Sequence, residues 1–149
     1  MKNRLIDFEL NHLDRIDLRE FDRMGFEAVP ENKDQLQVYL DCGMAFTGMV
    51  DNNIIMIGGV CVSRPKVGFA WVMTSPFVEN NKVFFHKGCK MVIDMGIKEF
   101  NLHRLETTIL EGHEISKNWA ERIGFKQECL MRKFDADGNN YYLYARIIE

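Results

Sequence analysis

The chain reads as an α/β protein, one α+β mixed sheet with the element order β-α-α-β-β-β-α-β-α-β-β. Three observations predict it. Three apolar, β-branched stretches follow one another between residues 44 and 74, with turn residues between them. A one-sided apolar helix, a short alternating stretch and a second helix then occupy Lys82 to Ile123. Two last alternating runs flank the turn signal Asp137-Gly138.

Each element has its own signal. A short strand is expected around Leu5 to Leu10, followed by an amphipathic helix on which Leu13, Ile16, Phe21 and Met24 recur at near-helical spacing until Pro30. Asn32 caps a second helix carrying Leu36, Tyr39 and Leu40 and ending at Gly43. Met44 to Val50 and Ile54 to Val62 form a hairpin around Asp51-Asn52-Asn53, residues that tolerate positive φ. Ser63 to Lys66, with Pro65, turns the chain into a strand from Gly68 to Thr74, giving three antiparallel strands in a row.

Pro76 stops that strand. From Lys82 to Phe100, residues Phe85, Cys89, Val92, Ile93 and Met95 or Ile97 share one side of a helix, with Gly96 a soft point near its end. Leu105 to Leu110 alternates as a strand, His113 to Ile123 is helical, and Gly124 is its left-handed C-cap. Gln127 to Phe134 and Tyr141 to Ile148 close the chain as a hairpin.

Composition narrows the function classes. The 149 residues are 46% apolar, enough for one filled core, so one domain spanning 1–149 is expected. Nineteen basic against 22 acidic residues give a net charge of -3, which does not favour nucleic acid or an anionic membrane. Cys42, Cys61, Cys89 and Cys129 form no CxxC pair and have no His at ligand spacing, so buried reduced thiols and no metal are expected. No apolar run at the N-terminus or elsewhere has the length of a signal peptide or a membrane span, which points to a cytoplasmic protein.

The segments GFAWVMTSP, HRLETTILEGHEIS, NWAERIGF and YYLYARI, between Gly68 and Ile148, resemble the C-terminal half of GNAT acyltransferases in order and spacing. HRLETTILEGHEIS with AERIGF resembles the branch that acetylates ribosomal protein N-termini. The WVMTS strand end, the WAERIGF segment and REFDR near the N-terminus are also similar to short GNAT-like proteins of tailed phages, among them an internal virion protein family. The resemblance implies the acyl-CoA N-acyltransferase fold: a central, mostly antiparallel sheet with helices on both faces. Acetyl-CoA is then the implied acyl donor and a small-molecule or protein amine the acceptor. The phage likeness instead implies a GNAT-fold interaction module, a homo-oligomer or a virion-assembly partner, in host cytoplasm or virion.

The resemblance also implies a site. The strand at Gly68 to Thr74 splays from the one at Leu105 to Leu110, and pantetheine fills the gap as a pseudo-strand along Trp71, Val72 and Met73. Pyrophosphate sits on the N-terminus of the following helix, at Asn80, Asn81, Lys82 and Val83. The family's phosphate loop carries two small residues, usually glycines; SPFVENNKVFF has none, leaving Asn80 and Asn81 to reach left-handed conformations and Lys82 to add charge.

His113 stands where that branch often has an Asn facing the cofactor, and Ser116 matches a Ser that helps hold it. Either is also a good helix-start residue. Many members have an acidic Tyr four residues before the Gly of the Gly-Phe pair; here that position is Ala120. Ser116, one turn earlier on the same face, is the candidate acid for a leaving thiolate. Glu106 is the candidate general base, because an acid inside a strand is costly unless it faces a cleft or a partner. His103 and Glu111 are weaker candidates. The aromatic residues Phe69, Trp71, Phe77, Phe84 and Phe85, and Tyr141, Tyr142 and Tyr144, are read as core or as the wall of an acceptor groove.

Overall fold

The computed structural model describes residues 2–20, 22, 23 and 32–149. Its centre is a seven-stranded sheet in the order β1-β2-β3-β4-β5-β7-β6. The strands are β1 (Asn3–Asp7), β2 (Gly43–Val50), β3 (Asn53–Arg64), β4 (Val67–Thr74), β5 (Arg104–Leu110), β6 (Lys126–Met131) and β7 (Tyr141–Ile147). The helices whose bounds lie among the described residues are α1 (Asn32–Asp41), α2 (Lys82–Glu99) and α3 (Glu114–Arg122), with 3-10 turns at Leu10–Asp14 and Pro76–Asn80. All strand pairs are antiparallel except β4 with β5. This is the mostly antiparallel, helix-flanked mixed sheet expected of the acyl-CoA N-acyltransferase fold.

Two apolar clusters cover the two faces of the sheet. On one face Val92 and Ile93 of α2, Ala120 of α3 and Phe125 pack on Val60, Ala70, Leu105 and Tyr144. Leu105 and Tyr144 are fully buried, each burial contributing on the order of 2 kcal/mol. On the other face Leu36 of α1 and Phe8 pack on Met49, Ile57 and Met73, with Tyr39 and Trp71 at the margin. The alternation of β4 decides this split: Ala70 faces α2, whereas Trp71 and Met73 face α1.

Several sequence expectations change. The first strand ends at Asp7, and Leu10 begins a 3-10 turn, because a capping box between Glu9 and His12 starts a helical turn there. Past that turn the backbone is helical at Glu20, Asp22 and Arg23; Phe21, Met24, Pro30 and the side chain of Asn32 lie outside the described residues. Gly43 does not cap α1 but opens β2, where a Cβ would stand 2.0 Å from the Val60 carbonyl oxygen. Gly96 is not a soft point: it faces the core, where a Cβ would meet Val60 at 2.8 Å, while Met95 is exposed. Cys42 and Cys129 are exposed, so only Cys61 and Cys89 are the buried thiols expected of all four. Burial pushes the Cys61 thiol up to about 11 and Cys89 higher still, keeping both protonated and unreactive.

The remaining turns follow the sequence. Asp51 takes φ 54 between β2 and β3, and Gly124 takes φ 101 after α3, a conformation that costs a glycine nothing. No helix among the described residues is long and apolar enough to cross a membrane.

Candidate active site

β4 and β5 are paired over only three residues, Val67–Phe69 with Arg104–Glu106. Beyond Phe69 the two strands part, leaving a V-shaped gap. At its apex Thr107 Oγ1 donates to the Ala70 carbonyl at 2.8 Å, a side chain bridging where the ladder stops.

Which peptide groups face the gap follows from alternation along β4. Ser75 N–H donates to the Ile55 carbonyl of β3, so Met73 and Trp71, two and four residues back, also turn their backbone groups to β3. Thr74, Val72 and Ala70 therefore turn theirs toward β5. Thr74 is already occupied: its N–H and hydroxyl donate to Asp22 Oδ2 at 3.2 and 2.7 Å, and its carbonyl accepts from Arg19 N–H at 3.0 Å. Ala70 accepts from Thr107. Val72, between them, presents both its N–H and its carbonyl to the gap without a β5 partner among the described residues. Of the three backbone positions expected to hold a cofactor, Val72 faces the gap, and Trp71 and Met73 contribute side chains to its α1-side wall.

A groove of about 1170 Å³ runs along this gap, reaching Glu79, Lys82 and His86 at one end and Phe134, Asp135 and Tyr141 at the other. Lys82 opens α2, and Val83 is exposed beside it. Asn81 is the N-cap residue at φ -136, not left-handed, and its side-chain amide donates to the Phe77 carbonyl at 2.8 Å instead of capping the helix. Neither Asn80 nor Asn81 takes positive φ. Glu79 stands at the same helix start between two cations, 3.3 Å from Arg19 Nη1 and 3.4 Å from Lys82 Nζ. The α2 terminus thus combines a helix start without a side-chain cap with two cations that share one carboxylate.

His113 is the N-cap of α3, its Nδ1 accepting from Ser116 N–H at 3.2 Å, and both residues line the groove. Burial lowers the His113 pKa, with Asp22 opposing and Arg19 adding to the shift. His12, on the α1 side, is buried with Nδ1 2.8 Å from Thr47 Oγ1, and burial lowers its pKa too. Both rings are therefore neutral in the folded chain when the unfolded chain begins to protonate. Stability from them is complete above the ordinary value of 6.5 and is lost as pH falls from 6.5 toward the depressed folded values. Urea midpoints are expected to fall between about pH 7.5 and about pH 5.5, with part of the fall removed in His12→Gln. A flat midpoint over that window would mean that neither ring is held neutral.

Glu106 lines the groove below the apex with its side chain 13% exposed, shared between two guanidinium groups. Arg64 Nη2 donates to one oxygen at 3.2 Å, and Arg104 donates through Nε and Nη2 to the other at 3.1 and 2.9 Å. Arg104 also binds Glu128 of β6. The carboxylate is an ordered negative charge facing the groove, held by partners on β3 and β5. His103 and Glu111, the weaker candidates, sit at the two ends of β5, where Glu111 accepts from the Asn140 side chain at 3.3 Å.

The aromatic residues divide. Phe69 and Trp71 stack on Tyr39 of α1 at 5.7 and 5.6 Å and wall the groove, as do Phe85 and Trp119, in contact at 5.0 Å. Phe77 is exposed, Phe84 packs beside Val78, and Tyr144 is core. Tyr141 faces the groove, and burial followed by the charge of Asp135 pushes its phenol up to about 12, which keeps it a hydrogen-bond donor. Sequence reasoning missed Arg19, Asp22 and Thr107. The first two lie some 50 residues from the strand they touch, and no spacing rule links them to it. Among the described residues no group of three or more His, Cys, Asp or Glu could hold a metal ion.

No protein-family model and no curated protein sequence matches the chain. Solved structures do. Ard1 from Thermoplasma volcanium superposes with a TM-score of 0.78 at 9% identity, over 99% of this chain and 98% of that one. A GNAT family acetyltransferase from Elizabethkingia anophelis, solved with acetyl-CoA bound, gives 0.69 at 10% identity over 98% of both chains. A ribosomal-protein alanine N-acetyltransferase from Escherichia coli gives 0.67 at 13% identity, over 99% of this chain and 95% of that one. At these identities the likeness is one of fold, and the chain has the fold of the GNAT acetyltransferases.

Proposed function

We propose that this protein is an acyl-CoA-dependent N-acyltransferase of the GNAT superfamily, transferring an acyl group to an amine. The observation that carries the reading is the three-residue β4–β5 pairing, with the Val72 peptide turned into the gap beyond it. An extended amide-bearing ligand fits there as a missing strand, its own N–H and carbonyl meeting those of Val72. The α2 terminus fits a phosphate, through its first-turn N–H groups and Lys82, once Glu79 yields Arg19 and Lys82.

When bound, acetyl-CoA supplies an activated acyl group that passes from sulfur to nitrogen: a C–N bond forms, the C–S bond breaks, and one proton leaves the amine while sulfur gains one. The protein's part is positioning. Val72 orients the donor along β4, Glu106, fixed by Arg64 and Arg104, offers the acceptor amine an ordered hydrogen-bond acceptor, and the Ser116 hydroxyl supplies a proton donor on α3. The chain's departures from the family pattern favour transfer that relies on orientation and water-mediated proton movement. The likeness to N-terminal acetyltransferases makes a protein N-terminus or a small primary amine the acceptor classes to screen.

A second reading, a GNAT-fold module without turnover, draws on the Glu79 carboxylate at the α2 start, which opposes a phosphate there. A virion-assembly role would fall under it and rests on short sequence likenesses alone.

Calorimetric titration with CoA and acetyl-CoA tests the proposal, with micromolar binding expected. Replacing Asn80 and Lys82 together by Ala should weaken CoA about tenfold or more beyond its effect on a pantetheine fragment lacking phosphates, roughly the value of one charge-assisted contact. Ser116→Ala should weaken CoA by about 0.5 to 1.5 kcal/mol. No binding at millimolar ligand would overturn the enzyme reading and leave the module.

A further inference from the structure

Where β4 and β5 part, a second hollow opens on the α2 side of the sheet, a cavity of about 60 Å³. It shares the walls Ala70, Val72, Thr107, Trp119 and Ala120 with the groove and runs from there under β3. Its mouth is thus the point at which a donor lying along Val72 would end.

The chemistry of the walls fits hydrocarbon. At the inner end Cys89 Sγ meets Met56 Sδ at 3.7 Å, and burial holds that thiol protonated, so the wall offers no charge. A dry, apolar cavity of this kind keeps water out, since an enclosed water needs two to four polar partners. Small side chains keep the space open: Gly58 on β3, Ala70 on β4 and Ala120 on α3 leave it unfilled. The polar side chains at the mouth are Thr107, whose hydroxyl already donates to the Ala70 carbonyl, Trp71, which packs with the α1-side cluster, and Trp119. The Trp119 indole Nε1 is buried and has no acceptor among the described residues, a costly state that a carbonyl oxygen placed there would relieve.

We infer that the preferred donor carries an acyl chain longer than acetyl, a straight chain of about four carbons whose outer carbons fill this cavity and whose carbonyl faces Trp119. The length follows from volume: a cavity of about 150 Å³ takes the six carbons of benzene, so about 60 Å³ is space for about two carbons beyond acetyl. The inference rests on the acyltransferase reading and deepens it.

Titration of the purified chain with acetyl-CoA, butyryl-CoA and decanoyl-CoA tests it. Butyryl-CoA is expected to bind about tenfold tighter than acetyl-CoA, the effect of two buried methylene groups at about 0.8 kcal/mol each. Decanoyl-CoA, too long for the cavity, should bind no tighter than butyryl-CoA. Ala120→Leu, which fills the mouth, should bring butyryl-CoA back to the affinity of acetyl-CoA. Should that variant not fold, Met56→Ala enlarges the inner end instead and should make hexanoyl-CoA the tightest ligand. Equal affinity of the parent protein for acetyl-CoA and butyryl-CoA, or a butyryl preference that survives Ala120→Leu, overturns the inference alone. Failure of every CoA species to bind overturns the acyltransferase reading and the inference together.

Discussion

Gly59→Ala is expected to cost the protein about 3 kcal/mol or more, enough to unfold much of it at 25 °C. Gly59 pairs with Ala45 across β2 and β3, and a Cβ there would lie 2.0 Å from the Met44 carbonyl oxygen and 2.8 Å from the Ala45 Cα. Both obstacles are backbone, so relief requires the two strands to separate. Gly43, two register positions away, meets the mirror situation against Val60, which makes this a shared close approach of β2 and β3. Gly88→Ala on α2 is the control. Its Cβ would meet only the end of the Met56 side chain, at 2.5 Å, and a helix-interior Gly-to-Ala change contributes up to about 1 kcal/mol of helix propensity. Urea unfolding of both variants measures the contrast, and a Gly59→Ala midpoint equal to that of Gly88→Ala would contradict the close approach.

Val72→Pro is expected to weaken CoA binding by about 10- to 100-fold while leaving the fold in place. The Val72 N–H points away from β3, so proline removes no ladder bond from the sheet, and Trp71 before it is already extended. The missing donor costs a ligand carbonyl its hydrogen bond and leaves that acceptor buried and unsatisfied, about 1 to 3 kcal/mol, and the ring obstructs the gap. Val72→Ala keeps the peptide group and should bind CoA within about threefold of the parent. Calorimetry on the two variants separates a backbone role from a side-chain role. Proline binding like alanine would remove this edge from the site.

The sheet was largely legible because its signals are local. Alternation in Gly68 to Thr74 and Leu105 to Leu110, and turn residues at Asp51 and Gly124, each act within a few residues, and the structure places strands and turns there. The N-terminal region was less legible. The Glu9–His12 capping box converts what reads as strand into a 3-10 turn through one reciprocal bond pair, which hydrophobic spacing does not register. Site residues divide along the same line. His113 as the cap of α3 is a local feature visible in sequence, whereas the grip of Arg64 and Arg104 on Glu106 joins β3 to β5 across 42 residues. The Asp22–Thr74 contact spans 52 residues and depends on how the N-terminal segment crosses the sheet, which only tertiary packing determines.

That crossing makes the groove a competitive binding surface before any ligand arrives. Arg19 and Asp22 already take the carbonyl, N–H and hydroxyl of Thr74, the groups next along β4 from Val72. A ligand strand that extends past Val72 must displace this segment, so its apparent affinity is the intrinsic affinity multiplied by the fraction of molecules in which the segment has lifted. The chain thus carries its own tethered competitor, and tight binding and a released N-terminal segment become one equilibrium.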